Sequence, residues 1–209
     1  MNKIAKEDGF GKVSLLPSKK FVAPKKVVPG MFYYADGLIF PELIKDNQVS
    51  AVVGCVDKRC GLAIGLRETV LPWSSDWLYV DMPSGLRGKE ATSLILKTAK
   101  EKQENAEAAE WCAEYAFDGI EAGTGFMPGK EEFKHIFGNQ TRLNKSFTLL
   151  NSGGLSGNCL QEDAFYWSSF EYDDSDLHAW RVRPSGGYVG NLYGKSVSSR
   201  VRCAIEFKI

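Results

Sequence analysis

Residues 166–207, YWSSFEYDDSDLHAWRVRPSGGYVGNLYGKSVSSRVRCAIEF, decide the fold prediction for this chain of 209 residues. The final segment, SRVRCAIEF, places an apolar side chain at every second position. Those positions are Val201, Cys203, Ile205 and Phe207. A period of two predicts a β-strand with one buried face. AFYWSS, AWRVR and GYVGNLY are similar shorter segments joined by polar turns, so this region is predicted to form short antiparallel strands.

Strands are also predicted near the start of the chain, and helices between the two regions. Asp36-Gly37 separates MFYYAD from GLIFPEL and is typical of a hairpin turn, and QVSAVVGCV and GLAIGLRE flank a polar turn at residues 57–59. Apolar residues recur at helical spacing over residues 86–116, where KEKQENAE is either an exposed helix face or a break. MPGKEEFKHIFGN predicts another helix with Pro128 in its first turn, and TRLNKSFTLL a short last one. This order predicts an α+β domain rather than a doubly wound sheet.

Residues 1–30 differ in composition from the rest of the chain. They contain seven lysines, and Pro17, Pro24 and Pro29 interrupt regular structure. We predict an extended N-terminal arm over residues 1–30, followed by one domain over residues 31–209. The arm is either a solvated leader or a segment that assembles the chain with a second copy or a larger particle.

The overall composition argues against several classes of protein. Lysine plus arginine and aspartate plus glutamate both number 26, so the formal net charge is zero, which disfavours a nucleic-acid partner. The apolar runs are too short for membrane insertion, and the N-terminus lacks the apolar core and cleavage site of a secretory signal. These features are compatible with a phage particle, with the cytoplasm before assembly, or with a trimmed precursor.

The five cysteines leave their pairing open. They are Cys55, Cys60, Cys112, Cys159 and Cys203. No Cys-x-x-Cys spacing occurs, which disfavours a zinc ribbon. Cys55 and Cys60 could face each other across a hairpin, and Cys159 and Cys203 could meet if their strands are neighbours. The alternative is that all five are small buried apolar residues.

The sequence gives little support to catalysis. It has no phosphate-binding loop, Gly-x-Gly-x-x-Gly, His-Glu-x-x-His or Gly-x-Ser-x-Gly motif, and its two histidines are His135 and His178. The acidic segment EYDDSD could supply carboxylates to calcium, but it lacks the glycine and the ligand spacing of a calcium loop. We therefore predict a protein that is not an enzyme, with no catalytic residue, metal or cofactor.

The polar residues of the C-terminal region have the chemistry of a contact surface. Tyrosine and tryptophan offer rigid amphipathic area, serine, glycine and asparagine offer adaptable hydrogen bonds, and arginine offers forked donors. Alternation along the strand would place Trp180 and Val182 on one face and Arg181 and Arg183 on the other. The predicted ligand-binding positions are Phe170, Tyr172, Asp173, Ser175, Asp176, His178, Arg181, Arg183, Tyr188, Asn191, Tyr193 and Lys195.

The pattern resembles a known family. AFYWSS-x-EY, then AW-x-V, and a closing SRVRCAIEF resemble the C-terminal part of C-type-lectin-fold proteins of bacteria and phages, with diversity-generating-retroelement variable proteins and their relatives in gut Bacteroidetes most similar. GMFYYADGLIFPEL, VVGCV with GLAIGL, and AAEWCAEY with GTGFMPGKEEF resemble earlier parts of the same fold. The resemblance covers roughly residues 30–209 and implies a C-type lectin-like fold with two main helices.

The resemblance also implies a function. Its members bind protein or glycan targets on a cell or phage surface, through a C-terminal surface that in some members is diversified. The twelve positions above match that surface, and an invariant frame would support them. The frame is Trp167, Ser168, Ser169, Glu171, Trp180, Arg200, Val201 and Arg202.

The sequence departs from two related groups of proteins. The Glu-Pro-Asn, Gln-Pro-Asp and Trp-Asn-Asp motifs of calcium-dependent lectins are absent, as is the Arg-Gly-Gly-Ser-Trp segment of formylglycine-generating enzymes. The leading prediction is therefore a receptor-binding or adhesion protein. The alternatives are a structural component of a phage tail or fimbria, and an enzyme related to the formylglycine-generating enzymes with a reactive thiol at Cys203 or Cys159.

Overall fold

The computed structural model describes residues 4–8, 12–16, 24–58, 60–75, 77–172, 175–185 and 189–209, with the backbone alone at 4–8, 12–16, 175–176 and 189–193. The strands are β1 (Ile4–Asp8), β2 (Lys12–Leu16), β3 (Phe32–Tyr34), β4 (Ile39–Phe40), β5 (Leu43–Ile44), β6 (Val49–Val56), β7 (Gly61–Leu71), β8 (Tyr166–Tyr172), β9 (Ser175–Val182), β10 (Val189–Gly194) and β11 (Ser199–Phe207). The helices are α1 (Gly88–Lys102), α2 (Glu107–Ala113), α3 (Lys130–Phe137) and α4 (Gln140–Ser152).

One sheet organises the domain. It has eight strands in the order β10-β9-β8-β11-β7-β6-β3-β4. Its pairs are antiparallel except that of β11 with β8, which is parallel and includes Arg200 opposite Tyr166. The C-terminal strand thus lies inside the sheet and joins the early strands to the later hairpins. The α+β prediction is confirmed.

Helices cover both faces of this sheet. On one face, Leu62 and Ile64 of β7 and Ala204 of β11 belong to a core cluster with residues of α3 and α4. On the other, Ala63 of β7 and Cys203 of β11 belong to a cluster with residues of α1 and α2. The prediction of one buried face for β11 is therefore incomplete. Of the residues expected to face water, Arg202 and Ala204 are also buried, because a second helical layer covers that face, whereas Glu206 is exposed.

The first hairpin forms where the sequence predicts it. β3 and β4 pair antiparallel, and the Gly37 amide donates to Tyr34 across the turn at 2.9 Å. The Asp36 carboxylate accepts from the Leu38 amide at 3.0 Å. Gly37 has a φ of +83°, a left-handed conformation that glycine adopts without steric cost. The Asp-Gly pair therefore supplies both the side-chain acceptor and the flexible backbone that this turn needs.

The helical region divides at the charged segment. α1 ends before Gln103, which has a left-handed φ of 57°. Of the two alternatives for KEKQENAE, the break between two helices is therefore confirmed, and the continuous exposed helix face is not. α3 begins after Gly129. Pro128 therefore lies before the helix and not in its first turn, where the sequence predicted it. The predicted last helix has 13 residues and is longer than expected. The described residues thus form four helices rather than two main ones, and none is long and apolar enough to cross a membrane.

The N-terminal segment contains a hairpin. β1 and β2 pair antiparallel, and β1 also pairs with β5 through Ile4 opposite Ile44 and Ala5 opposite Leu43. This small sheet of three strands is separate from the large one. Regular structure was not expected within residues 1–30, but the hairpin ends before the first of the three prolines. The division of the chain into an arm and one domain stays a prediction.

Candidate functional site

Aromatic and cationic side chains meet where β8 and β9 run beside the start of α3. Tyr172 lies edge-on to Trp180, with ring centroids 5.0 Å apart. The ammonium of Lys130 lies 4.3 Å from the centre of the Trp180 ring. Phe170, also on β8, packs against Gly129, where an added Cβ would lie 3.0 Å from the phenyl ring. The structure thus brings together two of the predicted ligand-binding residues, Phe170 and Tyr172, and the frame residue Trp180.

Arg181 does not lie on an open surface. Its side chain is 7% exposed, and its guanidinium carbon lies 4.7 Å from the Phe165 ring centre and 5.4 Å from that of Trp167. It also donates to the Ser199 hydroxyl at 3.4 Å. Arg183 is half-buried and shares the Phe165 ring. The expected display of Arg181 is therefore wrong, because aromatic rings of the same sheet face cover its guanidinium.

Lys195 is also a correction. Its side chain is fully buried, its ammonium pairs with the Glu171 carboxylate, and it donates to the Leu78 carbonyl at 2.5 Å. The other Glu171 oxygen accepts from the Val80 amide at 2.9 Å. The Lys195 carbonyl accepts from the Trp73 amide at 2.8 Å. Lys195 therefore holds the loop after β7 against β8, and it is not a displayed residue.

The remaining predicted positions are described in part. His178 is half-buried, and it pairs with Gly194 across β9 and β10. Asp173 and Tyr188 lie outside the described residues. Four more lie in strands whose side chains are not described there. They are Ser175, Asp176, Asn191 and Tyr193. Their assignment to ligand binding stays a prediction.

A cleft of about 590 Å³ opens next to Phe170. Its walls come from the end of the β6–β7 hairpin, the segment before α1 and the first half of α3. Apolar contributions include Val56, Leu62, Leu86 and Phe170 itself. Mostly apolar clefts with a few convergent polar groups are typical of ligand sites. The cleft therefore extends the aromatic surface of β8 into a concave site.

Arg87 and Glu132 belong to the polar part of this cleft, which also includes Asp57, Lys130, Glu131, His135 and Asn139. The Arg87 guanidinium donates to the Cys60 sulfur at 2.8 Å and lies 3.3 Å from Glu132 and 3.1 Å from Glu206. Glu132 also accepts from the amides of Gly88 at 3.1 Å and Gly129 at 2.8 Å. One carboxylate thus joins the N-termini of α1 and α3, where negative charge is favourable.

The charge of Arg87 is secured by these partners. Burial opposes its positive charge, but the hydrogen bond to Cys60 and the carboxylates of Glu132 and Glu206 outweigh burial and raise its pKa. The sequence contained one signal for this arrangement, since Glu132 stands three residues after the Gly129 cap position. Nothing in the sequence indicated Arg87 as its partner, because 45 residues separate the two.

A second charged cluster explains the frame arginines at the C-terminus. Arg202 is fully buried and donates to Glu68 at 2.6 Å, to Gly65 at 2.9 Å and to Asn158 at 2.8 Å. Arg200 pairs with the other oxygen of Glu68. Burial and the neighbouring Glu68 raise the pKa of Tyr166 to about 12, so its hydroxyl remains a donor to that carboxylate. The cluster holds β7, β8 and β11 together.

All five cysteines are free thiols. Cys203 lies against Cys112, with its sulfur 3.5 Å from the Cys112 carbonyl oxygen, on the α1–α2 side of the sheet. Cys159 packs on the opposite side, so Cys159 and Cys203 cannot meet as the sequence allowed. Burial is the main cause that raises the pKa of Cys112, and the neighbouring Cys203 raises it further. Burial also raises the pKa of Cys55, to about 12, with smaller contributions from Glu132 and Asp57.

These environments predict a pattern of thiol reactivity. We expect Cys112 and Cys203 to resist iodoacetamide at pH 8 in the native protein, because both are buried and reaction requires an accessible thiolate. Peptide mapping by mass spectrometry would measure labelling of each cysteine, with guanidinium-unfolded protein as the control in which all five react. Rapid native labelling of Cys203 would contradict this prediction and favour the reactive thiol of the enzyme alternative.

Comparison with solved structures shows a likeness in fold. The chain resembles a fimbrial protein in its fold. That protein, from Bacteroides ovatus ATCC 8483, aligns with a TM-score of 0.71 at 15% identity. The match covers 87% of this chain and 49% of the fimbrial protein, so the chain spans about half the length of its neighbour. No protein-family model and no curated protein matches the chain. The likeness therefore concerns the fold alone.

Proposed function

We propose that the chain is a non-enzymatic ligand-binding domain of C-type lectin-like fold that serves adhesion to a surface. The observation that carries this proposal is the apolar cleft beside Phe170, which adjoins the aromatic side chains of β8 and β9. A protein or glycan target would contact this aromatic surface and insert a side group into the cleft.

The chemistry of the cleft supports binding. Arg87 pairs with both Glu132 and Glu206, so these charged groups fix the shape of the site. A wall fixed in advance lowers the entropy lost when a ligand is bound. The likeness to a fimbrial protein adds support for adhesion, since that protein is named for a surface appendage.

The proposal predicts that Phe170→Ala weakens target binding by at least about tenfold, since truncating an aromatic hot-spot residue costs about 2 kcal/mol or more and tenfold corresponds to about 1.4 kcal/mol. The fluorescently labelled chain would be titrated against intact bacterial and epithelial cells, and binding measured by flow cytometry. The wild-type chain should bind at least one cell type saturably. Phe170 is half-buried at the cleft rim, so we expect the variant to remain folded.

Leu155→Ala is the matched control. Leu155 is an exposed apolar residue in the loop after α4, away from the cleft walls, and its removal should leave binding unchanged. Equal loss in both variants would contradict the site assignment. Absence of saturable binding by the wild type, together with concentration-dependent assembly in sedimentation velocity, would favour the second candidate. That candidate is a structural fimbrial component, which the fold likeness also fits.

A further inference from the structure

A short loop segment before α1 exposes two aromatic rings. Along residues 77–81, exposed and buried positions alternate. Leu78 and Val80 are buried in the core on the α1–α2 side of the sheet. Trp77 is 77% exposed and Tyr79 is 44% exposed, and Asp81 is also exposed. Tryptophan and tyrosine offer rigid amphipathic contact area, which binding surfaces commonly use.

The backbone of this segment is fixed from beneath. The carbonyl of Leu78 accepts from the buried Lys195 ammonium at 2.5 Å, and the Val80 amide donates to Glu171 at 2.9 Å. One turn earlier, the Ser75 amide donates to the Asn105 carbonyl at 3.2 Å. The buried Lys195–Glu171 pair therefore fixes the segment that carries Trp77 and Tyr79.

Charged groups flank the two rings. The Lys102 ammonium donates to the Tyr79 carbonyl at 2.8 Å and lies 5.4 Å from the centre of the Tyr79 ring. Asp81 adds a carboxylate two residues further along the exposed side. The surface defined by Trp77, Tyr79, Asp81 and Lys102 is termed the aromatic ridge. The aromatic ridge combines the flat apolar faces of two rings with one negatively charged acceptor, Asp81, and one positively charged donor, Lys102.

We propose that the aromatic ridge binds a glycan chain. A pyranose ring has a face of C–H groups that packs flat on an aromatic ring, and a rim of hydroxyls that bonds to charged or polar groups. Trp77 and Tyr79 are separated by the buried Leu78 alone, so the two exposed rings can contact the same glycan chain. Asp81 and Lys102 are placed to bond the hydroxyl rim. The fixed backbone means that little order is lost on binding.

The dimensions of the ridge favour a glycan over a protein partner. A stable protein interface buries about 800 Å² on each partner and surrounds its apolar centre with further contacts. Here Leu78, between the two rings, and Val80, after them, are buried in the core, so the ridge is a single row of side chains. A narrow row of rings bordered by charges fits an extended sugar chain better than it fits the broad apolar surface of a protein partner.

The ridge is tested separately from the cleft. The wild-type chain and Trp77→Ala would be applied to an array of immobilised neutral and acidic oligosaccharides, and isothermal titration would use the strongest-binding oligosaccharide in solution. We expect the wild type to bind at least one glycan and Trp77→Ala to lose at least tenfold in affinity. Phe170→Ala, which removes the cleft anchor, should bind that glycan as the wild type does.

Two controls make the result decisive. Val70→Ala removes another exposed apolar side chain and should leave glycan binding unchanged, and thermal unfolding should show that Trp77→Ala folds normally. Failure of the wild type to bind any glycan, or equal binding by Trp77→Ala, would overturn the proposal. Trp77-dependent cell binding that is abolished by trypsin but not by glycosidases would overturn it in favour of a protein partner.

Discussion

Replacing Lys195 with methionine is expected to lower the free energy of unfolding by about 3–5 kcal/mol, the cost of removing one partner of a buried ion pair. Methionine is similar in length but leaves the buried Glu171 carboxylate without its cation, and it cannot donate to the Leu78 carbonyl. A domain is stabilised by only about 5–15 kcal/mol, so this loss is a large fraction of the total. It and the effect of replacing Glu68 are the two largest single-site effects that we expect.

Urea unfolding monitored by tryptophan fluorescence would measure the change. The matched control is the double variant Lys195→Met with Glu171→Gln, which removes the buried negative charge but keeps an acceptor for the Val80 amide. We expect the double variant to be more stable than the single one. A loss below about 1 kcal/mol in Lys195→Met, the level of an exposed pair, would mean that the ion pair does not organise this region.

Replacing Glu68 with alanine is expected to have a similar effect. Glu68 is the shared carboxylate of Arg200 and Arg202, and it accepts from the Tyr166 hydroxyl at 3.2 Å. Its loss leaves the fully buried Arg202 with carbonyl acceptors but no negative charge. We expect a loss of about 3–5 kcal/mol, because an uncompensated buried charge strongly destabilises a fold.

Two comparisons give this second prediction its control. Glu68→Gln retains acceptor capacity without charge and should fall between the wild type and Glu68→Ala in chemical denaturation. Arg200→Gln removes the outer arginine, whose side chain is 34% exposed, and should cost about 1 kcal/mol or less. If Glu68→Ala were no more destabilising than Arg200→Gln, the buried Arg202 would not depend on this carboxylate.

Sequence patterns predicted the local elements well. The Asp36-Gly37 turn formed as expected, and the alternating segment SRVRCAIEF forms a strand. The break in the helical region at KEKQENAE was one of two predicted alternatives. These predictions succeeded because turn chemistry and hydrophobic period are determined by residues that are near one another in the chain.

The candidate sites were predicted less completely. Phe170 was identified from composition, but the cleft beside it depends on Arg87 and Glu132, which lie far away in the sequence. Lys195 and Arg181 were placed on the surface, because a polar side chain in a strand normally faces water unless a buried partner compensates it.

The sequence by itself determined the succession of strands, helices and strands after residue 30, the first hairpin turn and the aromatic character of the C-terminal region. The tertiary structure decided which faces are covered and which charges are buried. Glu68 meets Arg202 across 134 positions, and Val80 meets Glu171 across 91. Local patterns carry no information about such partners, because only the packing of two helical layers on one sheet brings them together and removes the water that would otherwise solvate them.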